Sequence, residues 1–592
     1  MNKQNSLPEL LKTRAKESPQ GVAHWILDNE NRWLPISFQS FYQEIVDLAW
    51  KLKDRGINKG HVVAIMAATV REWELIHHAV LSLGGIVVGI DPNETPGQLE
   101  GIVKIAGVQT LVIDRLERLD KFHADIRTRF DLVITFDERA DKGEITQAIF
   151  INVPKRQTGE LKNTPLPDLV NPEDIATIIF TSGTTGTPKG IAYRHDQMIA
   201  AVDAILQTYP ELAQLPCHLV CWLPLSNLFQ RIVNLCAIAS SAEVYFVEQP
   251  KKIIDYLPQI NPHIFIAVPR FYEKLYQGFE VKLGQQPKIV VQFLHCCLTV
   301  GESNSLTGKL FRKINHRLFK SFTMLFGSNI RYLASGSAPM PLWLLKRFDA
   351  MGLLILEAYG LSENVVPIAA NRPSDYRMGS VGKALKGNTI KLAEDGGLLV
   401  KGIGVFNGYL KDQQHDHSLN KDGYLASGDY AEIDSQGFIY LIGRKSDVFK
   451  TSTGRKIAPV EIEALLHHDV RVEHAVVFGE SRKFLVALIT VGAALFKEDA
   501  AIIVYAQKLA TGLAQCVSDL PEYKRPVGVV LCFKNLSIEQ QELTGNLKIQ
   551  RKTIQQRYGL WLDELYNALN EPQSVIHRQP IVIDPKIVLF KL

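Results

Sequence analysis

A run of glycines and small hydroxylated residues sits directly behind an apolar strand pattern: residues 175–180 lead into Thr181, Ser182, Gly183, Thr184, Thr185, Gly186, Thr187, Pro188, Lys189 and Gly190. Three glycines free the backbone to turn its N–H groups toward an anion. Four threonines and a serine add hydroxyl donors, and Lys189 brings a positive charge. This is the chemistry of a polyphosphate cradle. Its spacing, G-x-x-G-x-x-K, is not that of a Walker A loop, and Gly402, Gly404 and Gly408 lack the dinucleotide-binding spacing. A polar linker has no reason to follow a buried strand and carry one lysine between proline and glycine. Neither H-E-x-x-H nor G-x-S-x-G occurs, which argues against a zinc protease or a serine hydrolase. His77-His78 and His467-His468 are adjacent pairs, and neighbours on a helix point about 100° apart, so neither pair predicts a chelate.

The elements that must position this loop read as alternating helices and strands. Residues 41–52 and 72–83 have helical apolar spacing, while 61–66, 86–90 and 111–113 are short buried strands. Such alternation predicts an α/β protein with doubly wound sheets. The 592 residues, 46% hydrophobic and 22% charged, exclude wholesale disorder and exceed one compact domain. Lys+Arg is 66 against Asp+Glu 62, a net charge of +4 that is too small over this length to argue for a nucleic-acid partner. The first residues lack a signal-peptide core, and no stretch approaches the ~20 apolar residues that span a bilayer. Seven scattered cysteines form no C-x-x-C pair, which fits a reducing cytoplasm. After Arg444 the texture becomes a smaller pattern, with helices at 460–466 and 500–517 and strands at 475–478 and 485–490. The expected units are therefore 1–443, 444–571 and a C-terminal tail, 572–592, holding a further strand or a docking segment.

The loop, with motifs that follow it in order, resembles the superfamily of adenylate-forming enzymes: acyl-CoA synthetases, peptide-synthetase adenylation domains and firefly luciferases. The resemblance runs from about residue 8 to residue 568. It implies a large N-terminal adenylating domain of doubly wound sheets plus a distorted barrel, followed by a small mobile α+β domain. It also implies ATP, Mg2+ and coenzyme A as reactants and cofactor. The loop from Thr181 to Lys189 would hold the β- and γ-phosphates, with Thr184 and Glu363 toward the metal. ASGSAPM (334–340) resembles the turn against the adenine, placing Gly336, Ser337, Ala338 and Pro339 there. LEAYGLSEN places Tyr359, Gly360, Ser362 and Glu363 in the nucleotide site. DGYLASGDYAEID puts Asp429 where both ribose hydroxyls are accepted, and GRKSDVFK puts Arg444 beside it. ELTGNLKIQRK resembles the C-terminal catalytic loop with Lys548. The small domain would turn about Ser446, presenting Lys450 and Gly454 for the thiol step.

LPLSNLFQR (223–231), IFIAVPRFYEKLY (264–276) and TSTGRKIAPVEIE (451–463) resemble the long-chain fatty acyl-CoA synthetase branch. That implies activation of a fatty acid to acyl-AMP with loss of pyrophosphate, then transfer to CoA. Two alternatives remain open: an acyl-AMP ligase loading a carrier protein, and a non-catalytic acyl or nucleotide binder. The chain departs from the family pattern at Asn227, where histidine is usual at the mouth of the acyl pocket, and at Ser446, where aspartate or lysine is usual. Ser427, Gly397 and Gly545 are further departures. The segment 309–320, KLFRKINHRLFK, carries five Lys/Arg and no acid, with Leu310, Phe311, Ile314, Leu318 and Phe319 on one helical face. Such a helix either lies on an anionic membrane or packs its apolar face on the body. The expected location is cytoplasmic, with peripheral contact at the inner membrane surface.

Overall fold

The computed structural model describes residues 5–137, 149–150, 169–182, 188–214, 216–303, 305–410, 419–492, 499–543, 549–584 and 586–592. Gly183, Thr184, Thr185, Gly186 and Lys548 lie outside the described residues, as does the side chain of Ser182.

A seven-stranded sheet carries the loop. Its order is Ile149–Phe150, Leu132–Thr135, Thr110–Ile113, Val62–Met66, Ile86–Gly89, Ile175–Ser182 and Pro188–Arg194. Every pair is parallel except the last, which is an antiparallel hairpin. All five residues of Val62–Met66 are buried, as an apolar strand covered on both faces requires. The surrounding helices pack through apolar residues that recur on one face. In Phe38–Lys53 the buried Phe41, Ile45, Leu48 and Leu52 do so, and Ser37 caps the start by accepting the Ser40 N–H at 3.1 Å.

Two further sheets complete the α/β body. One runs His218–Cys221, Glu243–Phe246, Val22–Leu27, Trp33–Ser37, and the other Ile264–Ala267, Tyr332–Ser335, Ile355–Leu361, Asn364–Ala370, Lys383–Ala384. A four-stranded antiparallel sheet follows among the described residues, Asn388–Leu392, Gly397–Gly402, Leu425–Ile433 and Ile439–Arg444. It is stitched to the preceding sheet where Val381 N–H donates to Ile439 O and Ile439 N–H to Gly382 O, both at 2.9 Å.

Beyond this sheet the cores separate. Two buried clusters draw only on residues from Phe449 onward, and the other three end by Leu441. The later residues form a sheet ordered Val472–Phe478, Leu485–Val491, Pro526–Cys532, Ile587–Lys591, Ile581–Asp584, flanked by helices Pro459–Leu466, Asp499–Cys516 and Arg551–Asn570. The segment 572–592 is thus built into this sheet, pairing antiparallel with Pro526–Cys532. The two bodies touch where the Trp343 ring stacks on His468 at 4.5 Å and donates its indole N–H to Ala464 O at 3.3 Å, and where Arg270 pairs with Glu473.

Leu589 is fully buried between strands of this sheet. Leu589→Ala should lower stability by about 2–5 kcal/mol in denaturant unfolding. A cost within the ordinary range of surface substitutions would show that the C-terminal strands are not part of the core.

Candidate active site

The hairpin fixes both ends of the loop. Thr181 stands opposite Lys189 and Ser182 opposite Pro188 in antiparallel register. From Lys189 a polar chain continues: its Nζ lies 4.7 Å over the ring of Tyr409, whose hydroxyl donates to Glu363 Oε1 at 2.7 Å. Tyr409 is held there by the backbone, since Ile191 bridges to it and Leu410 N–H donates to Gly190 O at 2.8 Å. Glu363 and Ser362 occupy the turn between Ile355–Leu361 and Asn364–Ala370. Tyr193 donates its hydroxyl to the Ser362 carbonyl at 2.5 Å. Burial, with Glu363 and Tyr409 nearby, pushes the Tyr193 hydroxyl well above its ordinary titration range, so it remains a donor. Sequence reading missed both tyrosines. Tyr409 lies 46 residues from Glu363, and nothing in its local pattern marks it.

A second polar cluster is built by cross-strand pairing. Asp429 faces Arg444 in register, and Arg444 Nε contacts Asp429 Oδ1 at 3.0 Å. The other carboxylate oxygen accepts from the Tyr359 hydroxyl. Ser427 Oγ accepts the Asp429 N–H at 3.1 Å, and the Ser427 carbonyl accepts from Arg444 at 3.2 Å. Asp429 is buried while Arg444 is half exposed, so the carboxylate is fixed and the guanidinium reaches solvent. A carboxylate held this way offers two acceptor oxygens to a vicinal diol. Burial, then Asp429, raises the Tyr359 hydroxyl far above its ordinary range.

The 336–339 turn follows Tyr332–Ser335 and abuts the strand bearing Tyr359. Ser337 takes a left-handed φ of 72°, and a Cβ on Gly336 would stand 3.6 Å from Ala358 O and 3.7 Å from Phe229. Glu357, two residues before Tyr359, holds the turn's far end by accepting the Met340 N–H at 3.1 Å. Its other oxygen is buried with no hydrogen-bond partner among the described residues, and Ser335 Oγ, across the strand pair, is likewise unpartnered. Burial raises the Glu357 carboxyl to about 7, opposed by the Met340 N–H bond and by the nearby Gly379 backbone N–H.

Asn227 immediately precedes the helix Leu228–Ser240, whose early residue Phe229 reaches the Gly336 turn. Four residues on, the buried Arg231 donates to Thr177 Oγ1 at 2.7 Å, tying this helix to the loop-bearing strand. Ser446 and Lys450 are exposed, and Gly454 turns at φ 80° in the 451–455 loop; none of the three contacts the Asp429 cluster. The His77 and His78 rings lie 5.0 Å apart, and Glu74, one turn earlier, brings a ligand atom of each of the three buried residues within 4.8 Å of the others. Arg231 stands beside them, and its charge opposes a cation there; with burial and His78 it holds His77 well below its ordinary range.

The AMP-binding enzyme family model matches residues 11–410, and the AMP-binding enzyme C-terminal domain model matches 446–570. The long-chain-fatty-acid–CoA ligase FadD15 of Mycobacterium bovis is 26% identical over 573 residues, covering 90% of this chain and 93% of its own. The long-chain-fatty-acid–CoA ligase ACSBG2 of Rattus norvegicus is 25% identical over 600 residues, covering 91% and 90%. The adenylation domain of a carboxylate reductase from Mycobacterium chelonae superposes with a TM-score of 0.75 at 19% identity, over 96% of this chain and 92% of that one. The A-PCP didomain of a carboxylic acid reductase from Segniliparus rugosus, in complex with AMP, gives 0.74 at 18% identity over 95% and 82%. The expected fold class is therefore present: a large adenylation-type body with a small C-terminal domain.

Glu357 gives a signed pH dependence. Its carboxyl moves from 4.5 to about 7 on folding, so the folded protein holds a proton that the unfolded chain releases between those values. Stability is full below pH 4.5 and declines as pH rises toward 7, by about 3 kcal/mol in all. Glu357→Gln keeps an acceptor for Met340 and has no charge to bury. Its unfolding midpoint should exceed that of the wild type at pH 8 and converge with it at pH 5; a difference independent of pH would contradict this.

Proposed function

The chain belongs to the AMP-binding enzyme family, and on that premise we propose that it activates a long-chain fatty acid with ATP and transfers the acyl group to coenzyme A. The observation that carries this reading is the buried Asp429 carboxylate, fixed by Arg444 and Tyr359 beside the 336–339 turn. The acyl specificity is supported by the names of the relatives, long-chain-fatty-acid–CoA ligases over about nine-tenths of this chain.

A carboxylate is a poor acyl donor because its leaving group would be oxide. In the proposed reaction a carboxylate oxygen attacks the α-phosphorus of ATP, the new O–P bond gives acyl-AMP, and the bond to pyrophosphate breaks. Negative charge gathers on phosphoryl oxygens, so fixed donors and cations supply most of the catalysis. Thr181, Ser182, Gly183, Thr184, Thr185, Gly186 and Lys189 hold the departing pyrophosphate, and Lys548 faces the reacting phosphate. Glu363 and Thr184 would hold Mg2+, which neutralises phosphate charge when bound; the Glu363 carboxylate, a hard oxygen ligand oriented by Tyr409, suits it. Asp429 and Arg444 take the ribose, Gly336, Ser337, Ala338 and Pro339 with Tyr359 and Gly360 the base, Ser362 the phosphate, and Asn227 the acid. The division near residue 444 then acts as a hinge about Ser446: the small domain delivers Lys548, then turns so that Lys450 and Gly454 face the thiol.

A carrier-protein thiol in place of CoA is the second reading, favoured by the likeness to the A-PCP didomain. It is the weaker one. The related acyl-AMP ligases that load carriers are expected to hold an insertion after the tyrosine-glycine motif, and here the residues between Gly360 and Gly379 are taken up by Asn364–Ala370 and the Arg372–Asp375 turn.

Incubation with ATP, Mg2+, CoA and a ladder of fatty acids should yield AMP and acyl-CoA by mass spectrometry. Acyl-AMP without thioester would move the acceptor to a carrier, and no AMP with any acid would overturn the proposal. Lys548→Ala should abolish adenylate formation, by at least roughly 100-fold, and largely spare thioester formation from supplied acyl-adenylate. Equal loss of both half-reactions would contradict the rotating-domain roles.

A further inference from the structure

We propose that the outward faces of two successive helices, Lys288–Gly301 and Leu306–Leu318, form a docking surface for an anionic lipid bilayer. The second helix begins at Ser305, whose hydroxyl accepts the Gly308 N–H at 3.1 Å. Leu306, Leu310, Ile314 and Leu318 recur every four residues and so form one stripe. A helix packed on its own body buries such a stripe. Here the arrangement is inverted: the four side chains are 85%, 58%, 41% and 42% exposed, and the helix's buried residues are Gly308 and Asn315.

The inversion is fixed by polar contacts on the inner side. Asn315 donates to the Cys297 carbonyl at 2.9 Å, and Arg312 reaches Asp349 at 2.6 Å. A Cβ on Gly301 would come within 2.8 Å of Asn315 Nδ2, so the polar side sits in close contact with the preceding helix. That helix extends the apolar surface, with Ile289 81% and Phe293 57% exposed. Of the residues expected on the apolar face of 309–320, Phe319 is buried and Phe311 half-buried, so the stripe alone remains outside.

Charge selects the occupant. No Asp or Glu occurs from residue 303 to residue 348, and Lys309, Lys313, Arg317 and Lys320 are exposed beside the stripe. A second copy docking through the same face would set these cations against each other with no acid between them. An anionic bilayer accepts both components, the apolar stripe in the acyl boundary and the cations among the headgroups. Among the described residues no helix is long and apolar enough to cross a membrane, so contact is in the interfacial plane. Docking stands apart from the proposed reaction, and its test needs no turnover.

The experiment is flotation of the full chain with phosphatidylglycerol or phosphatidylcholine vesicles at low salt. The wild type should float with the anionic vesicles, and the double substitution Leu310→Asp, Ile314→Asp should weaken flotation roughly tenfold or more. Replacement of Lys309, Lys313, Arg317 and Lys320 by Glu should weaken it comparably. Both variants should keep the wild-type unfolding midpoint, since the side chains are exposed. Absence of wild-type flotation, equal flotation of the Asp variant, or equal binding to neutral vesicles would overturn the proposal. So would wild-type self-association, without lipid binding, that the Asp variant abolishes.

Discussion

The antiparallel pairing of Thr181 with Lys189 is the constraint on which the candidate site rests. A loop proposed to hold phosphates gains nothing from loose ends, and the antiparallel pairing on either side of it fixes both ends before any ligand arrives. The strand entering the loop is held from behind by Arg231 through Thr177, and Thr177 also donates to Val87 O at 2.8 Å in the neighbouring strand. The strand leaving it carries Lys189 onto Tyr409, and Tyr409 passes the constraint to Glu363. Five segments distant in sequence thereby share one geometry. Stacked on Tyr409, Lys189 keeps its charge at the end of the loop, and among the described residues no ion pair engages it.

The same economy holds at the other end. Asp429 and Arg444 face each other on the last two strands of the antiparallel sheet, and the chain leaves that sheet directly into Ser446. The residues proposed to grip the ribose are therefore the last fixed point before the proposed hinge. Among the described residues the cores on either side share no cluster, and the contacts between the bodies include Trp343 on His468, Arg270 with Glu473 and Lys456 over the Tyr430 ring. Partly polar interfaces between domains separate at modest cost, which suits the proposed turn of the small domain.

Local pattern was legible wherever the physics is local. Residues 62–66 and 71–82 fold as their apolar periods dictate, and the loop motif sits on the strand that its flanking residues predict. Asp429 and Arg444 were legible as motifs, but their in-register pairing was not, because register depends on the whole sheet. Tyr409 and Glu357 were silent for a related reason: their partners lie on other elements, and a lone tyrosine or glutamate carries no period. The helix of 306–318 shows the sharpest limit. Its amphipathic spacing was plain, yet which side faces inward was decided by the partners that Asn315 and Arg312 find on neighbouring elements, the Cys297 carbonyl and Asp349, beside the small Gly301. The tail showed its strand-forming composition and not its sheet, since pairing with 526–532 spans tens of residues.

The central claim is that these residues act together to join an acid to AMP. It is tested most directly by fatty-acid-dependent exchange of labelled pyrophosphate into ATP, measured without CoA. Exchange should require both the acid and Mg2+ and be saturable in each. ATP binding without exchange, for every acid across the chain-length range, would contradict it and leave a nucleotide-binding protein without the reaction.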